Sequence, residues 1–406
     1  MSHGPRPEYD WRVLGILSLL MGFASISTDL YLPAMPAMAR ELGANPGAVE
    51  LTISGYLVGF SLGQLVWGPI GDRHGRRRPI AFGLMLFVIG SAGCALAGSV
   101  WAIIVWRVVQ ALGACAGVVL ARAIVRDLYA GNRAAQMMST LLTVMAIAPL
   151  VGPLLGGQIL SFAGWRAILW TLAAVGVVTL WAVFRLPETL PAARRNDEPL
   201  THAFAVYRQL LCDRSLLGYA GACGFYYGGT FAYIAGTPFA YITYYHVPAQ
   251  AYGLLFAANV VGIMATNLAN AWAVEKFGSD RLLRLGAWGA TIAAAVVAVD
   301  ARTDWGGLAG LAVPLFLFVA TTGFIVANSI AGALALFPRR SGVVSALVGS
   351  IQYGSGIVGS ALVGVFADGT VWPLGWVIAL CGLGTLLSTL LISLRPIDRA
   401  ASAGSA

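Results

Sequence analysis

Gly68-Pro69-Ile70-Gly71-Asp72-Arg73-His74-Gly75-Arg76-Arg77-Arg78-Pro79 is a short basic stretch between two long apolar runs. Residues 51–71 and 79–106 hold no Asp, Glu, Lys or Arg. A bilayer span needs about 20 such residues, so the stretch reads as a tight polar turn between two membrane helices. The pattern repeats outward. Residues 134–165, 305–338, 341–367 and 369–394 are also free of charge. The run 215–274 is sixty residues long, room for two helices, with a break marked by Tyr244, Tyr245, His246 and Pro248. Cutting at charges and turn residues predicts twelve spans, at 12–34, 49–69, 79–97, 100–122, 136–160, 166–186, 215–239, 250–272, 282–299, 307–333, 342–366 and 372–394.

Composition agrees. Of 406 residues, 58% are hydrophobic and 10% charged, and the mean hydropathy is +0.79. Soluble domains carry about 25% charged residues. A water-soluble enzyme, a disordered chain, a coiled coil and a nucleic-acid-binding domain are excluded, and no nucleic-acid partner is expected. The 50 glycines suit close helix packing in lipid. The net charge of +8 is read as the mark of basic loops that orient a membrane protein. Lys276 is the only lysine. Cys94, Cys115, Cys223 and Cys381 fall in apolar runs and Cys212 in a basic loop, with no CxxC. They read as buried small residues, neither disulfides nor metal ligands. The run before Asp29 is too long, and carries a charge, for a signal peptide.

Orientation follows from Arg and Lys. With the N-terminus inside, 21 of the 25 basic residues fall on the inner side, among them Arg6, Arg12, Arg73, Arg76–Arg78, Arg122, Arg126, Arg133, Arg194, Arg195, Lys276, Arg339, Arg340, Arg395 and Arg399. Arg40, Arg166 and Arg302 fall outside, and Arg107 lies within the fourth span. Both termini are therefore expected in the cytoplasm. The longest hydrophilic connection runs from Pro187 to Arg214. It divides the chain into a six-helix bundle (1–186), a cytoplasmic linker (187–214), a second six-helix bundle (215–394) and a cytoplasmic tail (395–406). Asp72-Arg73-His74-Gly75 after the second span is echoed by Glu275-Lys276-Phe277-Gly278 after the eighth. Two pseudo-symmetric bundles with a site between them is an alternating-access plan.

Several motifs resemble the major facilitator superfamily. Gly68 to Pro79 looks like its loop 2–3 signature, and Arg107-Val108-Val109-Gln110 with Gly113 resembles its helix 4 motif. Pro149-Leu150-Val151-Gly152-Pro153-Leu154-Leu155-Gly156-Gly157 is similar to the helix 5 motif of exporters, with Ala148 where that pattern often has Gly. Leu186-Pro187-Glu188-Thr189-Leu190 resembles the usual exit from helix 6. Ser27-Thr28-Asp29-Leu30-Tyr31-Leu32-Pro33-Ala34-Met35-Pro36 is similar to helix 1 of the Bcr/CflA-type drug resistance transporters, which include bicyclomycin, chloramphenicol and florfenicol exporters. The resemblance covers nearly the whole chain. It implies an all-α integral membrane protein of the major facilitator fold in a bacterial inner membrane.

The candidate residues follow. A carboxylate within a span is costly and is a functional candidate by default, and it can carry a proton at cellular pH. Asp29 is that group. Glu50 is the other acid near a span, and it sits at a boundary. Counted at about 1.5 Å per residue, Asp29 and Arg107 lie at matching depth, so they are expected to pair. The resemblance ties the helix 4 Arg to proton coupling. It also implies a cytoplasmic gate made of Gly68, Asp72, Arg73, Gly75 and Arg76, with Asp72 held against a helix N-terminus of the opposite half in the outward-facing state and Arg126 and Asp127 completing a charge network. Gly152, Pro153, Gly156 and Gly157 read as a kinked, tightly packed helix. The cavity candidates are Tyr31, Tyr56, Gln64, Tyr226, Tyr227, Asn259, Asn328 and Gln352.

The expected function is proton-driven export of small amphipathic toxic compounds. Its partners would be drug, protons and the bilayer. No cofactor or metal is expected beyond the proton gradient, and the protein is expected to be monomeric. The alternative is an uptake symporter or metabolite permease on the same scaffold. An acidic substrate would want several cavity cations, and only Arg107 is available. An enzyme or ATP-driven pump is not expected. The chain has no GxxxxGK[ST] loop, and His3, His74, His202 and His246 fall outside the spans.

Overall fold

The computed structural model describes residues 11–129, 131–191, 195, 208–337 and 341–392. Arg6, Arg194, Arg339, Arg340, Arg395, Arg399, most of the 187–214 linker and the 395–406 tail lie outside the described residues.

Helices stand at every predicted span. They are α1 (Trp11–Asp29), α2 (Met35–Glu41), α3 (Pro46–His74), α4 (Arg77–Leu96), α5 (Val100–Leu128), α6 (Gly131–Val183), α7 (Arg214–Thr237), α8 (Ala249–Phe277), α9 (Ser279–Thr303), α10 (Gly307–Ala320), α11 (Thr322–Leu336), α12 (Ser341–Val365) and α13 (Trp372–Thr389). Among the described residues nine helices are long and apolar enough to cross a bilayer, and the bent α1–α2 pair makes a tenth. The remaining two predicted spans have simple explanations. The fifth and sixth are the limbs of α6, broken at Gly164 with φ 76°, and the seventh is α7, rich in Gly and Tyr. The surface is inverted relative to a soluble protein, with Leu268 and Trp272 of α8 75% and 73% exposed. Apolar side chains there face lipid. This is a multi-pass membrane protein.

Local signals set the ends. Asn45 caps α3 by accepting from the Gly47 N–H at 3.0 Å. Asp213 caps α7 through the Leu216 N–H at 2.8 Å. The repeated acid-base-x-Gly motif has a structural meaning. α3 ends at Gly75, φ 87°, and α8 at Gly278, φ 80°. Both glycines adopt a left-handed turn that a side chain would strain.

Two spans differ from the continuous helices expected. The 12–34 span breaks after Asp29 and resumes as α2 after a 3-10 turn, Leu32–Ala34. Pro33 and Pro36 cannot supply the backbone donors that a straight helix needs. The 307–333 span breaks at Thr321, between α10 and α11. Its loosened carbonyls are taken up by side chains. Tyr226 Oη donates towards the Phe318 and Val319 oxygens at 3.0 and 2.9 Å, and Thr266 of α8 donates to the Ala320 oxygen. α7 is also prolonged, by a π-helical turn, Pro238–Tyr244.

α1 and α3–α6 pack among themselves, as do α7–α13. The two sets meet where α3 lies against α12 and α6 against α8. The α3–α12 seam is tightest near Pro46. A Cβ on Gly47 would run into the Gly364 backbone, and farther along Ser54 Oγ and Ser360 Oγ are 2.8 Å apart. At Ser61 and Ser350 the hydroxyls are 3.4 Å apart.

Candidate functional site

Between the two sets lies a cavity of about 270 Å³. Its wall carries Tyr56 and Phe60 from α3, Tyr226, Tyr227, Phe231 and Tyr233 from α7, Phe256 and Asn259 from α8, and Tyr353 from α12. Asp29, at the end of α1, is the single charged residue among the described lining residues, and it is only 5% exposed. The fold places it there because the break in α1 follows directly and the glycine face of α6 packs against it. A Cβ on Gly152 would lie 2.8 Å from the Asp29 Cβ, and one on Gly156 would strike the Leu30 carbonyl. Gly157 lies against Ala249 of α8, and Pro149 lines the cavity. The glycine–proline motif is thus the surface that seats the carboxylate.

Arg107 does not pair with Asp29. Among the described residues the ion pairs are Arg76–Asp72, Arg76–Asp127 and Arg166–Glu41. The Arg107 guanidinium is fully buried. It lies between the rings of Tyr31 and Tyr56, 4.6 and 4.3 Å from their centroids. Its Nη1 donates to the Ser27 carbonyl at 2.9 Å and to Gln110 Oε1 at 2.8 Å. Gln110 in turn donates to Ser91 Oγ at 2.8 Å. The reason for the mismatch is rotational. Ser27, and Tyr31 four residues on in the turn that follows α1, both lie on the side turned to α5. Asp29, two residues from each, points about 200° away. Matching depth fixed one coordinate and left the other free. The ring faces and the carbonyl offset the buried cation in place of a carboxylate.

Tyr56 joins this cluster to the cavity. Its hydroxyl is 2.5 Å from Ser27 Oγ, and its ring forms part of the cavity wall. Tyr31 is turned the other way, to Thr52 Oγ1 at 2.8 Å.

The Gly68–Pro79 loop is organised around Arg76. Its Nη1 reaches Asp72 at 2.6 Å and its Nε reaches Asp127 at 2.8 Å. Glu188 caps α4, accepting from the Arg76 and Arg77 N–H groups at 2.7 and 3.1 Å. Partial burial opposes the charge on Glu188, but these N–H donors, the Leu190 N–H and nearby Arg195 hold its carboxyl below the ordinary range. Asp72 bonds within its own loop and is half exposed, so the contact with the opposite half that the resemblance implies for the outward-facing state is not made in this conformer. Asp127 is bound by Arg76, and Arg126, expected in that network, is exposed. Arg73 is exposed as well. Gly75 gives the Glu188 carboxylate room, since a Cβ there would lie 2.6 Å from Oε2.

Of the eight cavity candidates, Tyr56, Tyr226, Tyr227 and Asn259 line it. Tyr31, Gln64, Asn328 and Gln352 do not. Asn328 is buried against Asn270 Oδ1 at 2.7 Å, and Gln352 is buried beside Tyr227. Sequence reasoning missed Tyr233 and Tyr353, as well as Phe60, Phe231 and Phe256. The i, i+4 spacing of Tyr56 with Phe60 could have pointed to Phe60.

The Major Facilitator Superfamily model matches residues 17–242. The chain belongs to the major facilitator superfamily. This facilitator is 35% identical over 382 residues to the uncharacterized MFS-type transporter YdgK of Bacillus subtilis (strain 168), covering 92% of this chain and 94% of that protein. It is 30% identical to the bicyclomycin resistance protein homolog of Haemophilus influenzae, covering 94% and 95%. It is 31% identical to the chloramphenicol resistance protein of Pseudomonas aeruginosa, covering 97% and 93%. It falls with the Bcr/CflA-type drug resistance transporters and is a transporter, not an enzyme. Its fold matches the crystal structure of a D-xylose-proton symporter with a TM-score of 0.73 at 16% identity, over 95% of this chain and 97% of that one.

Proposed function

We propose that this facilitator exports small amphipathic toxic compounds, antibiotics of the bicyclomycin and amphenicol kinds among them, in exchange for protons across a bacterial inner membrane. The observation that carries the reading is the aromatic cavity between the two helix sets, with Asp29 as its single charged group among the described lining residues. Such a wall accepts varied apolar bodies, and a lone carboxylate supplies one titrating anchor. The relatives named for bicyclomycin and chloramphenicol resistance support the same direction.

Asp29 is the proton carrier in this reading. Arg107 acts at one remove, as a positioning residue. It holds Ser27 and Tyr56, so the cavity wall and the end of α1 move together. Residues 1–186 and 215–394 are the two moving bodies, joined by 187–214, with the 395–406 tail and both termini in the cytoplasm by the basic bias of the loops. The tight seam near Pro46 is then the outer end, and the conformer is closed to the outside. The Asp72–Arg76–Asp127 cluster and the Glu188 cap form the inner gate in its released form. The protein works as a monomer and uses the proton gradient alone. One proton crossing 100 mV supplies about 2.3 kcal/mol, sufficient for more than a tenfold gradient of a neutral drug.

Inverted membrane vesicles test this. Florfenicol or bicyclomycin should accumulate on energisation, and an ionophore should abolish the accumulation. Accumulation that survives the ionophore, or that requires ATP after it, would refute the reading. A susceptibility panel in an efflux-deficient bacterium identifies which drugs are carried.

A further inference from the structure

Glu50 looked like a boundary residue in the sequence. In the structure it is only 4% exposed, in the first turns of α3, within the seam between the two helix sets. Among the described residues its Oε2 finds no hydrogen-bond partner. It lines a second, separate cavity of about 70 Å³, with Phe239 and Thr243 of the π-helical turn, Val363 of α12 and Leu374 of α13. The Glu50 Cβ also lies against Gly364, where a Cβ would come within 3.3 Å of it. The carboxyl therefore belongs to one half and its enclosure to the other.

Among the described residues no cation compensates it. The titratable group that faces this cavity from the π-helical turn is Tyr244, and no basic side chain is among the described lining residues. In the α12–α13 connection Asp368 is turned to Thr370, whose Oγ1 and N–H reach it at 2.6 and 2.9 Å. The Thr370 hydroxyl holds that carboxyl below its ordinary range, so Asp368 stays ionised near neutrality. α2, which packs on α3, carries Arg40 and Glu41, both exposed, and Glu41 is tied to Arg166 and Trp165. α5 presents Arg107, but to the Tyr56 face of α3, where it is already held between Tyr31 and Tyr56. Enclosing an ionised carboxylate with no partner is costly, and the neutral acid removes that cost. The seam can close around Glu50 only with its proton on.

We propose that Glu50 is a second proton-binding site of this transporter, one that latches the seam near Pro46 shut when it is protonated and releases it when it is ionised. The inference rests on the proton-driven reading above. With the seam open, Glu50 faces outside water and takes a proton from it. Closure carries that proton into the protein, and reopening returns the carboxylate to water. The sign is fixed by linkage. The closed seam binds the proton and the open one does not need it, so acid favours closure. For one proton the open-to-closed ratio can rise by at most about tenfold per pH unit.

The test is a distance measurement on the full chain in liposomes. Spin labels at Phe162→Cys and Trp305→Cys, 86% and 88% exposed, report the separation of the two halves at that end. A Cys212→Ser background suits them because the other four cysteines are buried. The wild-type background should close as pH falls and open as it rises, and Glu50→Asp should keep a transition. Glu50→Gln should stay closed at every pH. A Glu50→Gln distance that still follows pH as the wild type does would overturn the proposal. So would a Gln variant that fails to reach the membrane while the Asp variant succeeds, because the buried form is neutral. Failure of the proton-driven reading looks different: the wild type then shows no ionophore-sensitive drug accumulation in vesicles, whatever Glu50 does.

Discussion

Gly152→Ala is the sharpest perturbation of the site, because it adds one methyl group at the seat of Asp29. The new Cβ would lie 2.8 Å from the Asp29 Cβ, 3.3 Å from the Leu30 nitrogen and 3.4 Å from the Asp29 carbonyl carbon. Carbon atoms pack at about 3.5–4.0 Å, so α1 and α6 must part by about 0.7 Å or more there. The atoms in the way are main chain and a Cβ, so no side-chain rotation relieves them. Overpacking of this kind costs about 1–3 kcal/mol. Falling on this conformer alone, that cost would shift the balance between conformers by about five- to 150-fold. Gly15→Ala is the control, since a Cβ on Gly15 meets nothing within 4 Å. Ionophore-sensitive drug accumulation in inverted vesicles and thermal melting in detergent are the two assays. Gly152→Ala should lose transport and melt earlier, while Gly15→Ala should do neither. Equal transport and equal melting of the two variants would refute the packing argument and the idea that the α6 glycines seat the carboxylate.

Three further outcomes follow from the same geometry. Asp29→Asn should abolish ionophore-sensitive accumulation while the protein still reaches the membrane; drug resistance at the wild-type level would remove Asp29 from the mechanism. Glu188→Gln should lower thermal stability at neutral pH by about 1 kcal/mol, the worth of a helix cap. Because the folded-state carboxyl of Glu188 sits below its ordinary value, the cap is complete above about pH 4.3 and fades as pH falls further. The gap between wild type and variant should therefore close on acidification, and a gap independent of pH would count against the cap. Tyr226→Phe should loosen the α10–α11 break by removing one of the donors to the Phe318 and Val319 carbonyls, which keep the Thr321 and Thr322 hydroxyls, at a cost of about 0.5–1.5 kcal/mol. Earlier melting and weaker drug binding would be measured together, since Val319 and Thr322 line the cavity. Unchanged values of both would show that the break holds itself.

Most of the architecture was readable from charge spacing alone. The absence of charge over 79–106 predicted α4 and the start of α5 closely, because lipid disfavours ionised side chains whatever lies next door. What escaped was everything that depends on rotation about a helix axis. Asp29 and Arg107 matched in depth, yet α1 and the turn after it aim residues 27 and 31 toward the arginine and residue 29 away. Gln352 and Tyr353 are adjacent in sequence, about 100° apart on the helix, and only Tyr353 reaches the cavity wall. The break at Thr321 was also hidden. The Thr321 and Thr322 hydroxyls that back-bond the Phe318 and Val319 carbonyls are local, but Tyr226 and Thr266, which reach the same stretch of carbonyls, lie on other helices that no local window contains. Glu50 was visible as a solitary acid, but its burial depends on Gly364 and the π-helical turn, far along the chain.

The meeting of Gly47 with Gly364 has a consequence for leakage. At that contact the two halves touch main chain to main chain, so there is no swinging side chain to act as a wicket. A solute can pass at that point only if the helices themselves separate. Small ions gain nothing there from thermal flicker of a single residue, which suits the proton-driven carrier proposed above.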